Sequence, residues 1–173
     1  MRVRTVAMAF ALVCSPALVC AQAATLTLPS FQHLQARSIN SVDITIDSWP
    51  IRLASAFVEE DPELKQLLGK LDQIQVRSYE FDSDNAYSKS DVEMVRKQLS
   101  GPNWSPLVQV RSAKENSTVD ICISRESGKV RGFALVAVEP RKLTILNISG
   151  SVDPADVEKL QGRLGIPQLG VYR

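Results

Sequence analysis

A chain of 173 residues is about one domain's worth of polypeptide, and 45% hydrophobic with 23% charged residues is the make-up of an ordinary globular protein. Twenty basic and nineteen acidic residues leave a formal charge of +1. No basic stripe accompanies it, so the electrostatic footprint of a nucleic acid partner is absent. The longest same-sign runs, such as Glu59-Glu60-Asp61, read as solvated surface.

In chain order, Arg2 and Arg4 precede an apolar run from Val6 to Cys14, a Ser15-Pro16 break, a second short run and Ala21-Gln22-Ala23. This is the pattern of a secretory signal peptide over 1–23, with cleavage expected after Ala23. The run is broken by proline well short of the ~20 apolar residues that a spanning helix needs, so no transmembrane segment is expected. A competing reading makes Cys20 the lipid-modified first residue of a lipoprotein, although Val19 stands where that processing site has a small residue. Loss of 1–23 removes two of the three cysteines and leaves Cys122 alone. No intramolecular disulfide is then expected, and stability must come from a packed core.

The leader, 24–40, precedes a single domain over 41–173. Ser41 to Asp47 alternates, with Val42, Ile44 and Ile46 on one side and Asp43, Thr45 and Asp47 on the other, which predicts a half-buried strand. Ser48-Trp49-Pro50 opens a helix, and Asp61-Pro62 opens a second with Leu64, Leu67, Leu68 and Leu71 on one face. Gln73 to Asp82 reads as a strand whose apolar set changes phase between Val76 and Tyr79, so a bulge is expected near Arg77 or Ser78. Ser90 and Glu93 have the spacing of a capping box and start a helix that Gly101-Pro102 stops. Four strands follow at about 105–113, 117–125, 129–138 and 142–149, and Asp153-Pro154 caps a last helix with Val157, Leu160 and Leu164.

The predicted order is β-α-α-β-α-β-β-β-β-α, an α+β fold. Its C-terminal four strands must form an antiparallel meander, while the strand-helix-strand stretches suggest parallel neighbours and hence a mixed, largely antiparallel sheet of five to six strands. Alternation in Val119 to Ser124 predicts helices mainly on one face and a more polar second face. Phe133 to Val138 is apolar throughout and is expected to lie centrally, buried on both sides.

Several stretches together resemble a bacterial exported family catalogued as domain of unknown function 4252. They are Asp43 to Asp47, Val76 to Asp82, Ala86-Tyr87-Ser88, Gln98 to Ser105, Gly132 to Ala137 and Asn147 to Gly150. The resemblance implies bacterial origin and an envelope location, here the periplasm of a Gram-negative cell or, through Cys20, a lipid anchor. It brings no catalytic residue, cofactor or substrate.

The residues themselves offer little chemistry. His33 is the single histidine, so a Ser-His-acid or zinc site would have to be assembled around a leader residue. No P-loop, G-x-S-x-G, S-x-x-K, G-x-G-x-x-G or C-x-x-C motif occurs. Counted as a calcium loop, Asp82 to Glu93 has acids at the first, third and last positions (Asp82, Asp84, Glu93). Ala86 and Tyr87, however, replace an oxygen ligand and the turning glycine, and a turn followed by a helix cap accounts for the same residues. Cys122 should face away from Ile121 and Ile123, as a small apolar residue or, alternatively, a reactive thiol. Glu59, Glu60 and Asp61 are the acids that a carboxylate-only hydrolase would use, against routine capping at a helix junction. Trp49 and Trp104 lie in proline-containing loops, where closing a core edge competes with anchoring a partner. Tyr87, Trp104 and Arg111 are the candidates for partner contact. No catalytic, cofactor or metal site is expected. The leading reading is a non-catalytic envelope interaction module with an unknown envelope protein as partner. A carrier of a lipid or other apolar ligand between helices and sheet is the alternative, and a hydrolase comes third.

Overall fold

The computed structural model describes residues 26–58, 61–152 and 154–160. The expected signal peptide, its cleavage after Ala23, the alternative anchor Cys20 and the acids Glu59 and Glu60 lie outside the described residues, as does Leu164.

Eleven elements follow one another: α1 (Gln32–Gln35), β1 (Asn40–Asp47), α2 (Ser48–Phe57), α3 (Pro62–Gly69), β2 (Leu71–Glu80), α4 (Lys89–Leu99), β3 (Trp104–Ser112), β4 (Ser117–Glu126), β5 (Lys129–Glu139), β6 (Lys142–Gly150) and α5 (Pro154–Leu160). The α+β class and the C-terminal meander are as the sequence predicts. Local chemistry explains the boundaries. Asp61 accepts a hydrogen bond from the Leu64 N–H at 2.9 Å and Pro62 fills the first turn of α3, where its missing N–H costs nothing. Between β4 and β5, Ser127 and Gly128 both have positive φ, the geometry of a tight hairpin turn whose twist matches the strands.

All six strands form one sheet in the order β1-β2-β6-β5-β4-β3, and every neighbouring pair is antiparallel. The parallel neighbours suggested by the crossovers do not form, for a geometric reason. Two consecutive helices, α2 and α3, return the chain to the end of the sheet that it left, so β2 comes back antiparallel to β1. The single helix α4 carries the chain across instead, and β3 does run in the direction of β2. Three strands separate them, so the two never pair.

Helices cover both faces rather than mainly one. On the first face α2 and α3 bury Ile51, Leu67 and Leu68 against Ile74, Val76, Leu135, Leu146 and Ile148. On the second, α4 and the segment before β1 bury Leu26, Phe31, Leu34, Val92, Val95 and Leu99 against Tyr79, Phe81, Val136, Leu143 and Ile145. This removes the need for the expected bulge near Arg77. Register between β2 and β6 runs unbroken from Gln73 to Glu80, and the irregularity falls earlier, between Leu71 and Gln73. Ile74 and Val76 serve the first core while Tyr79 and Phe81 serve the second, so the phase change marks a change of core. As expected, β5 is central and buried on both sides, with Phe133 and Leu135 in one core and Ala134 and Val136 in the other. Each fully buried large side chain of this kind contributes roughly 1.5–3 kcal/mol. Among the described residues, no helix is long and apolar enough to cross a membrane.

Candidate functional site

The second face is incompletely covered near β3, and there a cleft of about 450 Å³ opens between α4 and the sheet. Its walls come from three elements. From α4, which turns Val92, Val95 and Leu99 inward, Glu93, Arg96 and Ser100 form one rim. Edge strand β3 supplies Trp104, Pro106, Gln109 and Arg111, and β4 supplies Asp120 and Cys122. Strand pairing explains this grouping: Pro106 lies opposite Cys122, Gln109 opposite Asp120 and Arg111 opposite Thr118, so all share one face.

An ion pair organises the floor. Arg96 Nε and Nη2 reach Asp120 Oδ2 at 2.8 and 2.6 Å, Nη2 donates to Thr118 Oγ1 at 2.7 Å, and Glu93 lies 3.6 Å from Arg96 Nη1. Asp120 is buried, so its charge requires this partner. Arg111, by contrast, is exposed and has no hydrogen-bond or ion-pair partner among the described residues. It is the cation that the cleft leaves available. Trp104 is buried as a wall, with Cη2 of its ring 3.4 Å from where a Cβ at Gly132 would stand. Cys122 is a free, buried thiol facing away from Ile123, and burial, helped by the negative charge of Asp120, pushes its pKa up. A thiol held protonated is a poor nucleophile, so here it serves as apolar floor.

The other sequence candidates lie elsewhere. The Tyr87 O–H donates to the carbonyls of Glu139 and Lys142 and its ring packs against Phe81, so burial pushes its pKa up to about 12. That residue fastens the β5–β6 turn and does not share the cleft with Trp104 and Arg111. Of the calcium-loop acids, Asp84 accepts from Arg141 at 2.6 Å, Asp82 is exposed in the turn after β2, and Glu93 faces the cleft. Among the described residues, no group of three or more His, Cys, Asp and Glu side chains could hold a metal ion. The capping box that starts α4 lies two residues earlier than expected. Ser88, not Ser90, is the N-cap, and Asp91 rather than Glu93 reaches back, its Oδ2 accepting from the Ser88 N–H at 2.9 Å. Ser88 and Asp91 have the same three-residue spacing with the shorter acid, and His33 from α1 holds the second Asp91 oxygen at 3.0 Å. Burial alone would raise the Asp91 carboxyl. Hydrogen bonds from Ser88 and His33 outweigh it and hold the group below the usual carboxylate range.

Sequence reasoning missed Arg96 and Asp120. The available signal was Asp120 itself, an acid alternating with Cys122 and so placed on a covered face. A family model described as Domain of unknown function (DUF4252) matches residues 36–160. No curated protein and no solved structure matches the chain.

Proposed function

Since the chain belongs to the DUF4252 family, a domain of unknown function, we propose from its own geometry that it is a non-catalytic protein-interaction module whose contact surface is the cleft between α4 and β3. The observation that carries this reading is the cleft's division of labour. Arg96 is neutralised by Asp120, Cys122 and Leu99 give an apolar floor, and Arg111 at the mouth has no partner among the described residues. A cation beside an apolar hollow suits an acidic or carbonyl-bearing side chain flanked by an apolar one. The signal-like residues 1–23 support a position outside the cytoplasm, which we take to be the periplasm of a Gram-negative cell, with another envelope protein as the proposed partner. The carrier and hydrolase readings lose the features that suggested them. The apolar strand that motivated a carrier spends its central side chains in the two cores, and the Asp61 carboxylate caps α3.

The test is photo-crosslinking in cells from position 93, on the exposed helical rim. A discrete adduct with a second protein, lost on Arg111→Glu, is the expected result. Adducts that are absent, or that Arg111→Glu leaves unchanged, refute the proposal.

A further inference from the structure

Among the described residues both edges of the sheet are open, since β1 and β3 each pair on one side only. Strand parity places Val42 and Ile44 on the first face of β1 and Asp43 on the second; on β3 it places Val108 and Val110 on the first face and Arg111 on the second. Val42, Val108 and Val110 are 39%, 41% and 46% exposed. The two edges therefore carry apolar side chains on the same face and opposite charges on the other. Pro106 and the irregularity before Val108 blunt the start of β3, but from Val108 to Ser112 no charged side chain on the first face guards it.

A second observation lies on the same face. Helix α2 packs over β1 and β2, yet exposes Trp49 (71%), Leu53 and Phe57 (80%), spaced i, i+4, i+8 along one stripe. At the opposite edge the first face stays open at Val108 and Val110 and at half-buried Val119 and Ile121. Among the described residues nothing covers either apolar surface, and contiguous patches of this kind mark contact sites.

Five antiparallel steps separate β1 from β3, so the two edge strands run in opposite directions. A second copy laid with its β1 beside β3 thus continues the antiparallel ladder without inverting the faces. Setting Val110 opposite Val42 puts Val108 opposite Ile44, and Arg111 falls diagonal to Asp43, within reach of a long side chain. Asp43, bonded to Arg77 at 2.9 Å, retains acceptor capacity for it. The same placement brings the α2 stripe of one copy alongside the open first face of the other. We propose that copies of this chain associate head-to-tail, β1 and α2 of one copy against β3 of the next, in an extendable rather than closed assembly. A two-fold β3–β3 dimer would leave both β1 and the Trp49–Phe57 stripe uncovered.

The experiment is sedimentation of the purified protein from micromolar to millimolar concentration, with Val42→Lys and Val110→Lys as edge variants whose folding is checked by circular dichroism. Expected is a mass that rises with concentration beyond the dimer, and at least tenfold weaker association in either variant. An equimolar mixture of the two variants should form a one-to-one dimer and stop, because one intact β1 edge and one intact β3 edge remain. A wild-type protein that stays monomeric, a dimer indifferent to Val42→Lys, or a mixture that stays monomeric overturns the proposal. Flotation of a monomer with anionic phospholipid vesicles assigns the α2 stripe to a lipid surface and overturns it as well.

Discussion

Replacing Gly150 by alanine tests how closely β6 and β2 approach where the ladder is irregular. Gly150 has φ +143, and a Cβ there would lie 2.2 Å from the Lys70 carbonyl oxygen and 2.9 Å from Leu71 Cα. Both obstacles are backbone, so neither can rotate aside, and the Ser151 N–H to Lys70 carbonyl bond at 2.9 Å pins the same spot. Strain from a backbone region that L residues avoid costs about 1–3 kcal/mol, and forcing packed strands apart costs a similar amount, so a loss of about 3–5 kcal/mol is expected. That is a large share of the ~5–15 kcal/mol by which domains are stable. At about 2–4 °C per kcal/mol for a chain of this size, Tm should fall by about 6–20 °C. Thermal and urea unfolding followed by circular dichroism supply the measurement, and Gly69→Ala supplies the control. An added Cβ at Gly69, the last residue of α3, meets nothing within 4 Å, so that variant should change stability by no more than about 1 kcal/mol. The reasoning fails if Gly150→Ala melts within about 2 °C of the parent, or no lower than Gly69→Ala.

Further outcomes follow from the second face. A Cβ at Gly132 would lie 2.5 Å from Ser124 Oγ, a buried hydroxyl without a partner among the described residues. Gly132→Ala should therefore cost about 1–3 kcal/mol alone and clearly less in a Ser124→Ala background, measured as a double-mutant cycle; additivity would show that Ser124 simply turns away. Asp91→Ala removes the reciprocal half of the α4 capping box and the partner of His33, while Ser88 stays as N-cap, and should cost about 1–2 kcal/mol near neutral pH. Because the folded Asp91 carboxyl lies below its ordinary value, its contribution is present above about pH 4 and is lost as the pH falls through the folded pKa. The deficit of the variant should accordingly shrink on acidification, and a deficit independent of pH would contradict the hydrogen-bonded carboxylate. Cys122 is buried with its pKa pushed up, so native labelling by a thiol reagent should be far slower than in urea, and equal rates would place the thiol in solvent.

Much of the fold is legible residue by residue. The alternation of Ile44 and Ile46, the Leu64, Leu67 and Leu68 spacing of α3, the Asp61-Pro62 start and the apolar Phe133–Val138 strand each report on a few neighbouring residues, and each matches what is found, whereas Leu71, expected on the helix, opens β2 and Val42 is exposed. The less local readings behaved differently. A switch of apolar phase in β2 looks like a bulge when one core is assumed, and becomes regular once two cores exist. The capping box moved from Ser90 to Ser88 because His33, 58 residues away from Asp91 in sequence, secures the shorter acid. Trp49 and Trp104 occupy similar loops in the sequence, yet one is exposed and the other is a wall of the cleft.

Short-range sequence accounts for the elements other than α1, which falls in the stretch read as a leader, and for their order, the α+β class and the family, because helical and strand periodicities and caps act over three or four residues. Only the path of the whole chain covers both faces, brings Arg96 and Asp120 together across 24 residues, and leaves Arg111 beside them without a partner among the described residues. Those outcomes depend on which strand lies beside which, and the route of two helices against one set that order. Pairings between distant residues follow from the path of the whole chain, which no short stretch of it encodes.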